Sequence, residues 1–287
     1  MSRAAALRPP GRRPRAAGLR RLRLPLLLVP LLAGCISEQR EKTLGDQIAA
    51  NVNVRVPLVH DVPLNLYVNE LGRLLARHSE RPDLEYHFYI VDTDGVNAFA
   101  LPGGHIYVNR GLIERTRTVS ELAGVLAHEI GHVAGRHGAK NLQRQMRTSS
   151  MSTLLYQTIL GRKPLLDQQA LQLGNQLWVA SNSREDEAEA DRAAVRYLIA
   201  TGVDPQGVLS LLDSLLAEER SQPGGVASEW FDTHPHTARR VVAARANIAE
   251  LLPAAKGTEL AQNNASYPMF LRRLSRLPPP APFLNLQ

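Results

Sequence analysis

The residues best suited to chemistry are those of the string HEIGH at 128–132. If this string is helical, His128 and His132 lie on one face, because side chains four positions apart are neighbours on a helix. Both imidazoles can then bind one metal ion, and Glu129, one position round, reaches a water molecule on that metal. This spacing predicts a zinc hydrolase with Glu129 as the general base.

A hydrolytic zinc ion takes three protein ligands, so the two histidines need one more partner. On a helix, Glu187 and Asp191 of the segment SREDEAEAD share a face with Val195 and Leu198. A carboxylate on an apolar face is costly unless a cation meets it, and zinc supplies that charge. We therefore predict Glu187 as the third ligand and Asp191 as the acceptor of a ligand histidine's outer ring N–H. Taken alone, this segment would instead fit a charged surface helix.

Other histidines lie near these motifs. An ideal helix points His137 about 140° away from His132, so we predict a packing or capping role for it. THPHTARR, at 233–240, resembles the C-terminal element of the M48 family of zinc metallopeptidases. The resemblance implies that His234 and Arg240 point into the cleft and stabilise the developing oxyanion. Two alternatives stay open: a helix start with a surface ion pair, and a histidine, His234 or His236, that takes the fourth zinc position and silences the site.

Three short strands precede the predicted metal helix. They are expected at 86–91, 97–101 and 105–109, with a turn at Pro102-Gly103-Gly104 between the last two. Zinc peptidases bind substrate as an added strand on an exposed sheet edge. We predict that edge at Asn97, Ala98, Phe99 and Ala100, or alternatively at 105–108. His105 is not expected to be a ligand.

The remaining scaffold is predicted to be helical. The metal helix begins at a capping box, Thr118 to Glu121, and Gly131 and Gly135 indicate the close approach of another element. Further helices are expected over 64–78, after Asp204-Pro205, and within the Gln-rich stretch 141–180, where packing is favoured over a lid. The proline-rich end, 253–287, predicts no regular element.

The N-terminus has the pattern of an export signal. The first 34 residues carry eight arginines and no acid, and their apolar run from Leu24 to Gly34 is too short to span a bilayer. The run ends in LAGC, which places the only cysteine, Cys35, where bacterial lipoproteins are cleaved and lipidated. We predict a lipoprotein signal peptide at 1–34 and a lipidated tether at 35–44. The alternative is an unmodified, buried cysteine.

Charge and cysteine content exclude several classes of protein. Without the eight signal arginines, 26 of the 34 basic residues remain against 27 acids, so the formal net charge of +7 belongs to the targeting segment. The mature chain therefore gives no sign of a nucleic-acid partner. A single cysteine excludes an internal disulfide and a cysteine zinc site. Ile36, where a retained lipoprotein would carry Asp, favours the outer membrane by resemblance to lipoprotein sorting.

Four ordered segments resemble the signatures of the M48 family of zinc metallopeptidases, of HExxH gluzincin type, in its soluble periplasmic lipoprotein branch. They are NAFALPGGHIYVNRGL, SELAGVLAHEIGHVAGRH, SREDEAEAD and THPHTARR, within a match from about 45 to 249. The resemblance implies an α+β, zincin-like fold at 45–252, mainly helical, with a small sheet whose edge strand flanks the active-site helix. It also implies one zinc ion per chain, bound by His128, His132 and Glu187, with Glu129 as the catalytic carboxylate.

The resemblance further implies an endopeptidase on the periplasmic face of the outer membrane of a Gram-negative bacterium. Its expected partners are unfolded or misassembled envelope polypeptides, the membrane through the N-terminal lipid, and envelope assembly machinery. A second hypothesis is an envelope chaperone or outer-membrane assembly factor with a regulated or silent protease site. A third is a structural lipoprotein with a closed, four-ligand zinc site.

Overall fold

The computed structural model describes residues 36–145, 182–235, 237–255 and 260–282. The fold is α+β and mainly helical, as the sequence predicts. The helices predicted between 146 and 180 lie outside the described residues. The elements are α1 (Glu38–Asn53), α2 (Val62–Ala76), β1 (His87–Val91), β2 (Ala98–Leu101), β3 (His105–Asn109), α3 (Arg110–Ile113), α4 (Val119–Ala134), α5 (Arg184–Ala200), α6 (Gln206–Ser221), α7 (Ser228–Thr233), α8 (Thr237–Leu251), a 3-10 turn (Leu252–Ala255) and α9 (Tyr267–Leu274).

The three strands form one sheet in the order β1-β3-β2. β3 pairs in parallel with β1 and antiparallel with β2, and all five of its residues are buried. The turn between β2 and β3 places Gly103 and Gly104 at φ 82° and 98°, a left-handed backbone that favours glycine. Because β3 is the central strand, the alternative edge at 105–108 is wrong. Of the two candidates, only β2 offers an edge.

Helix α4 lies at the centre of the fold. The Thr118 hydroxyl accepts a hydrogen bond from the Glu121 N–H at 3.2 Å, and the Glu121 carboxylate accepts from the backbone of Arg117. Every residue from Val119 to Val133 is buried, so α4 is surrounded by other elements on all sides. A Cβ at Gly131 would stand 2.9 Å from the Ala190 Cα, which confirms the predicted close approach of another element, here α5.

Helix α1 begins within the predicted tether at 35–44. The Ser37 hydroxyl caps it by accepting from the Arg40 N–H at 3.3 Å, and Leu44, Ile48 and Val52 follow at helical spacing. These residues pack in a small core with Ile36. From Glu38 onward this segment is helical because it can bury one face in the small core, and the lipid on Cys35 stays a prediction.

The prediction of no regular element in 253–287 is also wrong. Helix α9 buries Tyr267, Phe270 and Leu274, and the Phe270 ring stacks on Tyr67 of α2 at 4.6 Å. The carbonyl of Pro278 accepts a hydrogen bond from the buried Arg110 guanidinium at 2.6 Å. The three buried residues of α9 have helical spacing and precede the run of prolines at 278–280. Among the described residues, the helices are all too short or too polar to cross a membrane.

Glu229 in α7 gives the fold a measurable pH dependence. Burial, with Asp94 and Asp232 nearby, raises the pKa of its carboxyl to about 7. The unfolded carboxyl loses its proton near pH 4.5, whereas the folded one keeps it up to about pH 7. The free energy of unfolding therefore falls as pH rises from about 4.5 to 7, and the full loss is present above pH 7. With solvent screening, we expect Glu229→Gln to raise Tm by about 2–4 °C at pH 8.

Thermal unfolding of Glu229→Gln at pH 5 and pH 8 measures this effect. At pH 5 we expect at most about a quarter of this gain, because pH 5 lies only slightly above the unfolded pKa, whereas the penalty keeps growing up to about pH 7. Glu70→Gln, an exposed carboxylate of α2, is the control and should change Tm at neither pH. An equal gain at both pH values would refute the ionic origin.

Candidate metal centre and active-site cleft

Four buried donor groups converge in the structure. His128 and His132 project from α4 and Glu187 from α5, and His234, just after α7, joins them. The His128 and His132 Nε2 atoms lie 3.0 Å apart, and His234 Nδ1 lies 3.3 Å from His128 Nε2 and 3.2 Å from Glu187 Oε1. Ligands about 2.0–2.1 Å from a tetrahedral zinc ion lie roughly 3.3 Å from one another. The donor set therefore fits one zinc ion.

The contact between α4 and α5 explains how distant residues meet. His128 and His132 occupy successive turns of α4, and Gly131 between them lets Ala190 of α5 approach closely. Glu187 lies one turn before Ala190, and its Oε1 is 3.3 Å from His132 Nε2. A larger residue at position 131 would separate the helices and draw this carboxylate away from the imidazoles.

Arg240 and Asp191 form the outer side of the cluster. Asp191 Oδ1 lies 3.0 Å from His128 Nδ1, and Arg240 donates to both Asp191 oxygens at 2.7 and 2.8 Å. Arg240 Nη1 also lies 2.7 Å from Glu187 Oε2. Burial acts to raise the pKa of Glu187 and Asp191, but Arg240 and the histidines outweigh it and hold both pKa values well below their usual range. The guanidinium thus keeps two buried carboxylates charged.

Glu129 faces the cleft beside this cluster. It is buried, and among the described residues its Oε1 atom makes no hydrogen bond, although His234 Nε2 lies 3.5 Å away. Burial raises the pKa of this carboxyl, against the influence of His234 and His128. The position allows the carboxylate to exchange a proton with a group bound in the cleft.

His137 is a contact of the cluster that the sequence argument missed. Its Nδ1 lies 2.8 Å from His132 Nδ1, and its Nε2 lies 3.5 Å from Asp186 and 3.4 Å from Glu189. Helix α4 ends at Ala134 and Arg136 takes a left-handed φ of 57°, so an ideal helix no longer gives the direction of His137. The signal was Gly135, whose missing side chain leaves room for this ring.

We expect His137→Ala to weaken zinc binding by about 10–100-fold, because it removes the group that orients the His132 ring through Nδ1. Competition with a zinc chelator of known affinity, at fixed pH, measures the change. His78→Ala, an exposed histidine after α2, is the matched control and should bind zinc like the native chain. Unchanged affinity in His137→Ala would show that this contact only fills space.

The cleft runs between β2 and α4 and is narrow. A cavity of about 30 Å³, room for roughly one water molecule, is lined by Phe99–Pro102, Glu129, His132 and His234, among others. The predicted edge strand is partly covered: His234 Nε2 lies 3.2 Å from the Ala98 carbonyl oxygen, and Thr233 donates to the Asn97 side chain at 3.0 Å. Phe99 and Ala100 line the cleft itself.

Comparison with known proteins gives consistent matches. The Beta-barrel assembly-enhancing protease of Escherichia coli (strain K12) is 31% identical over 226 residues, 76% of this chain and 46% of that protein. Metalloprotease LoiP of Escherichia coli is 30% identical over 71% of this chain and 79% of LoiP. Mitochondrial metalloendopeptidase OMA1 of Schizosaccharomyces pombe is 29% identical over 68% of this chain and 55% of its own.

The chain thus spans about half the length of the Beta-barrel assembly-enhancing proteases that it matches. The model of peptidase family M48 matches residues 64–248, from α2 into α8, and this range contains all four residues of the donor cluster. Helices α1 and α9 lie outside the matched range. The chain therefore belongs to peptidase family M48 and is a zinc metallopeptidase.

Proposed function

We propose that the protein is an endopeptidase that is held by a lipid on Cys35 at the periplasmic face of the outer membrane and hydrolyses unfolded or misassembled envelope proteins. The observation that carries the peptidase activity is the convergence of His128, His132 and Glu187 beside the buried Oε1 of Glu129, which makes no hydrogen bond within the described part of the chain. The LAGC sequence supports the anchor, and the name of the Beta-barrel assembly-enhancing proteases supports the substrate class.

In this proposal His128, His132 and Glu187 hold the zinc ion. When bound, zinc supplies a Lewis acid that polarises a carbonyl group and lowers the pKa of water. Glu129 accepts a proton at Oε1 from the water that attacks the peptide carbonyl, and it later gives this proton to the leaving amine. Asp191 fixes the orientation of the His128 ring through Nδ1. The buried walls keep competing water away.

The edge of β2 binds the substrate backbone in this proposal. An extended peptide that adds to Phe99 and Ala100 would pass directly over Glu129, because these residues line the same cleft. At Asn97 and Ala98, the peptide would have to displace the Thr233 and His234 side chains that now contact them. Unfolded chains suit such a site, since folded proteins seldom present a free extended backbone.

His234 gives the site a closed arrangement. In the structure it supplies a fourth donor, whereas a catalytic zinc site keeps one position open. Its ring stacks on the buried Trp230 of α7 at 4.3 Å, so its withdrawal requires a shift of this segment. We propose that His234 occupies the fourth position at rest and that Arg240 positions Glu187 and Asp191, in place of the electrophilic roles predicted for both.

We expect His234→Ala to raise casein hydrolysis by up to about tenfold, because no histidine then occupies the fourth zinc position and a larger fraction of the chains is open to substrate. Initial rates at equal zinc occupancy measure the change. His60→Ala, an exposed histidine before α2, controls for the loss of an imidazole. A fall of 100-fold or more would instead place His234 in the chemistry, as the first sequence hypothesis holds.

The proposed activity is tested with the purified chain from Ile36 to Gln287 on unfolded casein and on a stable folded protein of similar size. Hydrolysis of casein alone is the expected result. The closed donor set also favours the second hypothesis, an assembly factor with a silent site. That hypothesis gains support if the native chain and His234→Ala both bind zinc and neither cleaves casein.

A further inference from the structure

The N-terminal segment packs against the rest of the domain from Ile36 onward, the first residue after Cys35. Ile36 is 8% exposed and belongs to the small hydrophobic core that also contains Phe99 and Leu101 of β2. Ser37 then caps α1, which leaves no flexible residue between Ile36 and the helix. A lipid on Cys35 would therefore be attached to a fixed point of the domain.

Buried ion pairs join this fixed point to the end of the metal helix. Arg136, four residues after His132, donates to the Ile36 carbonyl and pairs with Glu41 of α1 at 2.7 Å. Glu41 is 1% exposed and also accepts from Arg81 at 2.8 Å, while Arg81 donates to the Val133 carbonyl at 3.2 Å. Moving α1 away from the end of α4 would leave the buried Glu41 carboxylate without its two arginine partners, and an unpaired buried charge is costly.

The same residues form part of the cleft. Glu41 and Arg136 line it together with His132 and Glu129. Although α4 ends at Ala134, the Arg136 N–H donates to the Val133 carbonyl at 3.0 Å, so Arg136 lies roughly one turn, about 5.4 Å, beyond His132. One residue step is about 3.8 Å. The distance from a lipidated Cys35 to the metal-binding histidines is therefore on the order of 20 Å or less. Because this is an upper limit on distance, it holds at any tilt of the domain on the membrane.

We propose that the docked N-terminus restricts the peptidase to polypeptide segments that lie within about 20 Å of the membrane surface. The substrate class is a chain held at, or emerging from, the lipid surface, in preference to one extended far into the surrounding solution. This inference rests on the proposed lipidation and peptidase activity. It adds that the anchor selects substrate by height above the membrane.

The test uses the full acylated chain in vesicles of phosphatidylethanolamine and phosphatidylglycerol. Two substrates carry the same unfolded segment on a lipid anchor, one directly and one beyond a rigid helical spacer of about 40 residues, roughly 60 Å long. A variant receives about 40 Gly and Ser residues between Cys35 and Ile36, with an average span of roughly 35 Å and a much longer full reach. The matched control receives the same insertion between Gly224 and Gly225, in an exposed turn far along the chain.

We expect the native chain and the control to cleave the membrane-proximal segment at least about tenfold faster than the distal one, because only the first is present at high effective concentration. The variant with the insertion before Ile36 should reduce this ratio to about threefold or less. Soluble casein should be cleaved equally by all three chains. Equal rates on both anchored substrates by the native chain, or an unchanged ratio in the variant, overturn the inference.

Failure of the proposed function gives a different result. If Cys35 carries no lipid by mass spectrometry, or if casein stays intact with all three chains, the anchor or the peptidase activity is wrong, and the inference falls with it. With acylation and casein hydrolysis both present, the ratio between the two anchored substrates decides the inference alone.

Discussion

Glu129→Gln is expected to lower kcat/KM for unfolded casein by about 10²–10⁴-fold while zinc stays bound. Glutamine has nearly the same shape as glutamate, but its amide cannot accept and return the proton. Glu129 is not one of the four donors, and its contact with them is His234 Nε2 at 3.5 Å, so the donor cluster should keep its arrangement. Initial rates of casein hydrolysis, with zinc counted by mass spectrometry in each sample, measure the effect.

The control for this experiment is Glu70→Gln, the same chemical change at an exposed position of α2. It should hydrolyse casein at the native rate. A Glu129→Gln chain that binds zinc normally and keeps more than about a tenth of the native rate would contradict the role of Glu129 as proton acceptor. A chain that loses zinc would show that Glu129 helps to hold the cluster.

Arg240→Met is expected to lower the free energy of unfolding of the metal-free chain by about 3–5 kcal/mol. The buried guanidinium is the partner of both Asp191 and Glu187, and its removal leaves two carboxylates without a compensating cation. Methionine keeps much of the volume, so the loss reports mainly on charge. With zinc bound, the cost should be smaller, because the metal compensates Glu187.

Chemical denaturation with and without zinc measures this effect. Arg245→Met, on the same helix, removes an exposed pair with Asp213 and should cost less than about 1 kcal/mol. Adding Asp191→Asn to Arg240→Met should recover part of the loss, because the stranded charge is then removed. A loss below about 1 kcal/mol in Arg240→Met alone would contradict the role of Arg240 in positioning these carboxylates.

Local patterns were sufficient to predict much of the fold. The three strands lie within one residue of their expected positions, because alternation and the Pro-Gly-Gly turn are local signals. The face of α5 that carries Glu187 and Asp191 could be identified because a carboxylate on an apolar face needs a nearby cation. Gly131 indicated the helix contact that brings this face to His128.

The remaining features depend on contacts between distant residues. His137 could not be located by helix geometry, because α4 ends at Ala134 and Arg136 has a positive φ. The burial of Ile36 depends on a sheet about sixty residues later, and α9 is stabilised by packing on α2. The place of β3 at the centre of the sheet follows from its pairing with β1, which no single segment encodes.

The most direct test of a zinc peptidase at this cluster is to measure zinc content and casein hydrolysis on one sample of the chain from Ile36 to Gln287, before chelation, after chelation and after zinc is added back. We predict about one zinc ion per chain, loss of both zinc and activity on chelation, and recovery of both together. Casein hydrolysis that persists in the zinc-free chain would contradict the account.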